Sequence, residues 1–496
     1  MRSATMLFAL FVGGCATSPE YRASAIDVPP AFRESPAPRD DSIVPDRPDS
    51  SDESAAATAP AARVAAVPSA QGSDSAPDAF WRALGDTTLD RLVTELGRAN
   101  LDIQGAEARV RGARSAQTEA ALDLAPTVTF GGGYTRQRLS NAAFPVGGSA
   151  FPDQDVWDAG FDAAWELDLF GRLRQRVAAQ GAFVEASRED LRDVRVTLTA
   201  ELARTYFELR GAEERLAVAR RNAQNQRRTL ELTRERLDAG RGTAFDTERA
   251  QAQLSFTLAS IPAIESAVAE AQYGIGVLVG RAPATVAAEL TRTAGLPVLP
   301  AVAAVASADS VIRRRPDVAA AERQLAVEHS LVGAARADYL PRLSVGAVAG
   351  YSATAFGGLG DHGTFRYAVG PVLSWPALNL GRVKARVDVS RAREAEARSQ
   401  YDQTVLRAMQ EVETTLTRYR TARASVERIR DAAAASERAA ELARLRFTEG
   451  VADFLQVLDA ERTQLDAEDR LAQAQTAAAT AYAALYKALG GAAELD

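Results

Sequence analysis

The amino-acid sequence predicts a mainly α-helical protein with a membrane β-barrel portion, built as two copies of one structural unit. A strand-to-helix junction occurs twice, at Trp165–Arg172 and again at Ser374–Arg382, with Trp, Gly and Arg in matching places. Each junction follows a segment in which apolar and polar residues alternate, and each precedes a very long helical pattern. The recurrence indicates an internal repeat, and the alternation is typical of the strands of membrane barrels.

The composition excludes several classes of protein. The 496 residues are 47% hydrophobic and 25% charged, as expected of a folded chain, and the formal net charge of -7 argues against nucleic acid as a partner. The single cysteine, Cys15, and the two histidines, His329 and His362, cannot form an internal disulfide or a Cys/His zinc site. No nucleophile stands with a base in a recognisable pattern, so we expect no enzyme, no cofactor and no metal.

The first residues carry targeting signals. Residues 1–14 contain an early positive charge at Arg2 and an apolar run at 7–12, which together predict a signal peptide. Small residues directly before Cys15 resemble a bacterial lipoprotein cleavage box, so Cys15 is the predicted lipidation site; the alternative is a plain signal peptide with an incidental cysteine. Residues 15–78 are rich in Pro, Ala, Ser and Asp and predict a lipidated N-terminus followed by a flexible linker. No apolar run reaches about 18 residues, so no helix is predicted to span a bilayer.

The first copy, residues 79–297, begins with a helical pattern that runs from a cap at Asp86 to about Leu124. Two alternating segments follow, at 127–134 and 157–169, and each has an apolar face and a polar or small face. The carboxylates on the polar face of the second segment are Asp158, Asp162, Glu166 and Asp168. Such strands suit a membrane barrel.

A long helix is predicted next, from Leu173 to about Asp238. Nothing interrupts its pattern, and a helix of that length would measure roughly 100 Å. This exceeds an ordinary globular helix and predicts coiled-coil packing. Gly240 and Gly242 end the helix, and Thr243, with an acid three residues later, is predicted to cap the return helix.

The second copy, residues 298–490, repeats this order, and residues 491–496 form a tail. Its segments are alternating strands at 343–352 and 365–375, a long helix from Arg382 to about Phe447, a turn at Gly450 and a helix capped by Asp453. The two copies together supply four strands, whereas a closed barrel needs about eight. Lipid does not tolerate open sheet edges, so the chain is predicted to pool strands with copies of itself. The alternative is a soluble four-stranded sheet on a helical core.

The sequence resembles the outer membrane factors of bacterial tripartite efflux and secretion systems, the TolC/NodT family, and most of all the lipoprotein members that serve resistance-nodulation-division pumps. The segments that carry the resemblance are Phe80-Trp81, Trp165–Arg172, Arg314–Val318, Gly450 with Val457–Ala460, and Leu485–Gly491. It implies a homotrimer with a twelve-stranded outer membrane β-barrel continued by a twelve-helix periplasmic coiled-coil tunnel. It also implies an exit duct for small molecules, lipid-anchored in the bacterial outer membrane. A periplasmic adaptor and an inner membrane resistance-nodulation-division transporter are the implied partners.

The resemblance also assigns functional residues. It places Leu455 and Asp459, which are four apart and so share one helix face, at the periplasmic gate. Three copies of Asp459 would form an acidic ring that attracts cations, although an acid early in a helix is also explained by the helix dipole. The hairpin tips expected to dock the adaptor contain Gly240, Gly242 and Gly450, and the strand–helix junctions contain Gly171, Arg172, Gly381 and Arg382.

Two other functions remain open from the sequence. One is the exit duct of a type I protein-secretion system, although the lipoprotein box and the Arg314–Asp317 segment favour small-molecule efflux. The other is a periplasmic coiled-coil scaffold without a pore, which the alternating strands argue against. A glycine-rich match to a dinucleotide fingerprint at 358–363 opens a strand rather than a helix, so we reject it and expect His362 in a surface loop.

Overall fold

The computed structural model describes Phe32 and residues 78–138, 152–290, 295–300 and 307–491. The predicted signal peptide and the predicted lipidation site, Cys15, lie outside the described residues. The predicted linker lies outside them apart from Phe32 and Asp78, and so does the predicted tail apart from Gly491.

The elements follow the same order in both halves of the chain. The first half contains helices α1 (Asp78–Arg82), α2 (Thr87–Ala99) and α3 (Leu101–Leu122), strands β1 (Thr127–Gln137) and β2 (Gln154–Leu167), and helices α4 (Arg172–Asp238), α5 (Ala244–Leu278) and α6 (Pro283–Glu289). The second half contains helices α7 (Ala308–Arg314) and α8 (Pro316–Ala337), strands β3 (Arg342–Ala353) and β4 (Phe365–Ser374), and helices α9 (Leu380–Thr448) and α10 (Phe454–Ala488). The uninterrupted α4 and α9, of 67 and 69 residues, confirm the two long helices predicted from the sequence.

The prediction of one continuous first helix is wrong, because the structure divides this helix at Asn100. Asp86 caps α2 as predicted, but Asn100 has an extended backbone conformation that ends this helix. Its side-chain oxygen then accepts hydrogen bonds from the backbone N–H groups of Asp102 (2.9 Å) and Ile103 (3.0 Å). Asparagine is among the best N-cap residues, and here it starts α3 within an apolar pattern that continues through the break.

The end of the second strand also differs from the prediction. The sequence pattern placed Asp168 in the strand, whereas β2 ends at Leu167. The Asp168 carboxylate instead accepts hydrogen bonds from the N–H groups of Leu173 (3.0 Å) and Arg174 (2.9 Å) in the first turn of α4. An acid at this place satisfies free N–H groups and interacts favourably with the positive end of the helix.

The chain divides into two compact units. The first contains Glu107–Glu189 and Ala319–Gln403, and within its described residues the strands form one antiparallel sheet in the order β1-β2-β3-β4. Gly160 of β2 pairs with Gly350 of β3, and a Cβ built on Gly160 would lie 2.8 Å from the Gly350 Cα. The two strands approach so closely here that neither position has room for a side chain.

The strand register confirms that the sheet has one apolar and one polar face. Phe130 pairs with Phe161, and Phe161 and Tyr367 both pair with Ala349, so the three aromatic side chains lie on the same face of the sheet. All three are exposed. The opposite face carries polar and small side chains, including Thr129 and Asp162. The apolar face therefore has no cover within the first unit.

The described residues of the second unit fall within 27–106, 190–318 and 404–496, and all the regular secondary structure among them is helical. Trp81 of α1 is fully buried there, with its ring centroid 4.9 Å from that of Phe80 and 4.8 Å from that of Tyr486. A further buried cluster lies near the hairpin tips. Its members are Ala223, Leu230, Ala250, Leu254, Phe447, Phe454 and Val457.

Candidate functional site

Both long-helix hairpins turn in the same way. The glycines at the tips, Gly240 and Gly450, have φ values of 69° and 75°. The hydrogen bonds that close the tips run from the Arg241 N–H to the Arg236 oxygen (2.8 Å) and from the Val451 N–H to the Arg446 oxygen (2.9 Å). This is the Schellman motif, which ends a helix with a residue in the left-handed region and so favours glycine.

The return helices are capped as the sequence predicted. The Thr243 hydroxyl accepts a hydrogen bond from the Asp246 N–H (3.2 Å) at the start of α5. The Asp453 carboxylate accepts one from the Gln456 N–H (3.1 Å) at the start of α10. Gly242 precedes the first cap, and a Cβ on it would lie 3.1 Å from the Leu237 nitrogen, so the first tip has little room for a larger residue.

The two predicted gate residues lie in the first turns of α10. Leu455 is 52% exposed, and Asp459, four residues later, is also exposed. Phe454 and Val457 are buried in the cluster near the tips, so the apolar side of the helix holds α10 in place. The arrangement leaves Leu455 and Asp459 together on the exposed face of the helix.

Sequence reasoning missed a buried carboxylate in the same helix. Glu461 is 3% exposed and accepts hydrogen bonds from the Thr229 hydroxyl (2.8 Å) and from Arg444 Nε (3.0 Å). Its position in the sequence could have indicated burial, since residues 454, 457, 461 and 464 have the spacing of the buried side of a helix. A charged residue on that stripe requires partners from other helices, which the sequence pattern does not reveal.

Arg236 of α4 joins the two hairpin tips, in addition to the contact between Thr229 and Glu461. The Arg236 guanidinium lies 4.1 Å from the centroid of the Phe447 ring and donates a hydrogen bond to the Thr448 oxygen at 3.3 Å. Thr448 is the last residue of α9, so this cation lies at the negative end of that helix. The end of α4 therefore contacts the turn that leads to the predicted gate.

The strand–helix junctions match in sequence more closely than in geometry. Gly171 has a φ of 80°, and Arg172 forms a two-pronged ion pair with Glu166 at 3.0 and 2.6 Å. In the second copy, Gly381 lies inside the first turn of α9, and Arg382 is exposed. The helix begins earlier there, and only the first junction has a left-handed glycine.

The Arg314–Val318 segment contains an ionic cluster around the buried Arg315 in the second unit. Arg315 contacts the carboxylates of Asp317 (2.7 Å) and Glu411 (2.6 Å) and donates a hydrogen bond to the Ala488 oxygen (2.8 Å). Burial raises the pKa of nearby Asp193, and the negative charge of Asp317 raises it further. The cluster holds the end of α10 against the start of α8.

The polar side chains of the sheet pair across it. Asp158 of β2 and Arg366 of β4 form an ion pair at 3.1 Å on the polar face.

His362 is exposed in the loop between β3 and β4, as expected, and His329 contacts Glu394 at 2.7 Å. Among the described residues, no group of three or more histidine, cysteine or acidic side chains is arranged to hold a metal ion. None of the helices formed by the described residues is long and apolar enough to cross a membrane.

A sheet with an exposed apolar face, joined in each copy to a long helix hairpin, defines the class of outer membrane channel proteins. The chain belongs to the outer membrane efflux protein family, whose model matches residues 92–281 and 308–491. It is 31% identical to the pyoverdine export outer membrane protein OpmQ of Pseudomonas putida, over 86% of this chain and 91% of the relative.

Solved structures of similar proteins have the same fold. The outer-membrane channel OprN has 36% sequence identity and a TM-score of 0.77, covering 83% of this chain and 92% of that one. The CmeC outer membrane channel of Campylobacter jejuni has 18% identity and shares the fold, with a TM-score of 0.82 over 96% and 95% of the two chains. The predicted fold class, the function as an efflux channel and the outer membrane location are thereby confirmed. The family is one of channel proteins rather than enzymes.

Proposed function

We propose that the protein is the exit duct of a tripartite efflux pump that passively conducts drugs or other small molecules to the exterior. The observation that carries this proposal is the sheet, which exposes aromatic side chains on one face and presents small and polar ones on the other. Such a sheet suits the wall of a water-filled pore in lipid. The names of two relatives, the pyoverdine export protein OpmQ and the antibiotic efflux pump protein ArpC of Pseudomonas putida, support small organic molecules as the substrate class.

The same sheet supports assembly into a homotrimer. Each chain supplies four strands, and about eight are needed to close a barrel. Unpaired strand edges are not tolerated in lipid, and neighbouring copies would pair them. Three copies would contribute twelve strands to one barrel and twelve long helices to one tunnel.

Leu455 and Asp459 are the proposed periplasmic gate. Both are exposed on a helix whose opposite face is buried, so in a ring of three copies they are available to narrow the opening. Three Asp459 carboxylates would favour cations over anions at that point. We therefore expect a small, cation-preferring conductance in the resting duct.

The proposed partners are a periplasmic adaptor and an inner membrane resistance-nodulation-division transporter. The tips at Gly240, Gly242 and Gly450 are the proposed docking points for the adaptor. Their Schellman turns and capped return helices give the tips a defined shape that a partner can recognise.

The N-terminal and domain assignments are likewise proposals. Residues 1–14 would be removed as a signal peptide, and Cys15 would carry the lipid that anchors the chain to the outer membrane. Residues 15–78 would link the anchor to two repeats, 79–297 and 298–490, with a tail at 491–496. Mass spectrometry of the mature protein tests the anchor, because lipidation at Cys15 adds acyl chains that Cys15→Ser would lack.

Drug accumulation in cells tests the proposed function directly. We expect that deleting the gene raises the intracellular level of pump substrates, and that the wild-type gene restores the original level. A matched strain lacking the transporter gene is the control. Unchanged accumulation of every compound that the transporter exports would contradict an exit duct for that pump.

A further inference from the structure

Glu461 is a buried charge close to the proposed gate. It shares the buried face of α10 with Phe454, Val457 and Gln464. The positions 454, 457, 461 and 464 have the three-and-four spacing of a coiled-coil seam. A carboxylate in such a seam costs free energy unless it is paired, so its partners decide where the helix can lie.

Two other helices supply these partners. Thr229 of α4 and Arg444 of α9 both donate to the same oxygen, Glu461 Oε1, at 2.8 and 3.0 Å. The second branch of the Arg444 guanidinium donates to Gln464 Oε1 at 2.8 Å. The Glu461 side chain is 4% exposed and that of Arg444 is 30% exposed, so water reaches the cation more easily than the carboxylate. Glu461 keeps both of these hydrogen bonds only while α4, α9 and α10 keep their present rotation and register.

The contact from Thr229 belongs to a regular series along α4. The residues of α4 at 215, 222, 229 and 236 are seven apart, and each contacts a polar group of α9 or α10. The pairs are Arg215 with Asp469 (2.7 Å), Asn222 with Glu468 (3.0 Å), Thr229 with Glu461 (2.8 Å) and Arg236 with the Thr448 oxygen (3.3 Å). Polar contacts repeated every seven residues set the register of a coiled coil. Glu461 is the most buried of the three carboxylates in the series.

The rotation that Glu461 fixes also sets the direction of the gate residues. An α-helix turns by about 100° per residue, so Asp459 lies about 160° around the helix from Glu461. Leu455 lies about 120° away on the same calculation. A turn of α10 that carried these two side chains away from the pore would therefore pull Glu461 from Thr229 and Arg444.

We propose that Glu461 is the positioning residue of the gate. Its pairing with Thr229 and Arg444 fixes the rotation of α10 and so holds Leu455 and Asp459 toward the pore. This inference rests on the proposed function, because it takes Leu455 and Asp459 as the gate. Without the buried carboxylate, α10 turns more freely and the ring of gate side chains widens.

Single-channel recording of the purified full-length protein in planar bilayers with potassium chloride tests this role. Glu461→Leu removes the charge and both acceptor oxygens, whereas Glu461→Gln removes the charge but keeps the shape and one oxygen acceptor. Glu427→Gln is the matched control, since Glu427 is an exposed acid of α9 that pairs with Arg430 on its own helix. We expect Glu461→Leu to raise the conductance toward that of Leu455→Ala/Asp459→Ala and to weaken the cation preference. Glu461→Gln should fall between Glu461→Leu and the wild type, and the control should match the wild type.

The possible results separate this inference from the proposed function. Wild-type conductance in both Glu461 variants, while Leu455→Ala/Asp459→Ala opens the pore, would overturn the positioning role and leave the gate intact. No response to Leu455→Ala/Asp459→Ala would remove the gate and the positioning role together. If Glu461→Leu gives no folded trimer, Glu461→Gln decides alone, because it preserves the volume of the buried side chain. A lower melting temperature with unchanged conductance would also overturn the inference, since a purely structural residue behaves in that way.

Discussion

The indole Nε1–H of Trp165 donates a hydrogen bond to the main-chain oxygen of Leu124 at 2.8 Å. The second copy repeats this contact, with Trp375 donating to the oxygen of Tyr339 at 3.0 Å. In both copies the acceptor follows the helix that precedes the strands, and the donor lies where the second strand ends. The tryptophan of the recurring junction is thus explained by one tertiary hydrogen bond that fixes the strands to the preceding helix.

Trp165→Phe should be destabilising, because it keeps an aromatic ring but removes the donor. We expect a loss of about 0.5–1.5 kcal/mol, the usual net contribution of one hydrogen bond, and a similar loss for Trp375→Phe. Thermal denaturation of the detergent-purified protein measures both. Trp157→Phe is the control, since the Trp157 ring packs against Tyr134 and Phe356 and no hydrogen bond of its indole is found among the described residues. An equal loss in the control would argue that ring size alone matters.

Arg315→Ala should lower the free energy of unfolding far more than the loss of a surface arginine does. It would leave Asp317 and Glu411 without their shared cation, and because both carboxylates are partly exposed we expect a loss of about 1.5–3 kcal/mol, the usual contribution of hydrogen bonds to charged groups. Arg313→Ala provides the comparison, because the pair of Arg313 with Asp309 is exposed and should contribute less than about 1 kcal/mol. Denaturant unfolding compares the two variants. Similar midpoints for both would contradict a stabilising role of the Arg315 cluster.

Asp193 should make stability fall as the pH rises. Burial and the charge of Asp317 raise its pKa in the folded protein, so the folded state favours the protonated acid. Its unfavourable contribution is absent below the unfolded pKa, develops as the pH rises, and is complete above the raised folded pKa. Asp193→Asn should therefore raise the melting temperature at neutral pH and flatten the pH profile in the acidic range. A parallel, unshifted profile in this variant would contradict the assignment.

Gly160→Ala should prevent correct pairing of β2 and β3. A Cβ at this position would lie 2.8 Å from both the Gly350 Cα and the Ala349 oxygen, which are backbone atoms of a paired strand and cannot move aside independently. Gly133→Ala is the matched control in β1, since a Cβ there meets nothing within 4 Å. The yield of heat-resistant trimer in outer membrane fractions measures the effect. Normal assembly of Gly160→Ala would mean that the strands separate more easily than their geometry indicates.

Local signals explain why much of the fold could be predicted from the sequence. The caps at Asp86, Thr243 and Asp453 and the turns at Gly240 and Gly450 depend on a few neighbouring residues, and the structure confirms them. The strands were predictable for the same reason, because side chains alternate between two faces.

The features that sequence reasoning missed depend on distant residues or on competing local signals. Asn100 lies inside a continuous helical pattern, and its side chain also donates to the Leu278 oxygen at 2.8 Å, a contact that no local pattern contains. Asp168 continued the acidic face of a strand while acting as a helix cap. The pairing of Glu461 was missed because its partners Thr229 and Arg444 come from two other helices.

The channel and its gate are tested together by the single-channel conductance of the wild type, compared with that of Leu455→Ala/Asp459→Ala. We predict small, cation-preferring currents from the wild type and larger, less selective currents from the double variant, because the constriction and its acidic ring are removed. Absence of current from both proteins, despite a folded trimer, would contradict the channel account. Equal currents from the two would place the constriction elsewhere and remove Leu455 and Asp459 from the gate.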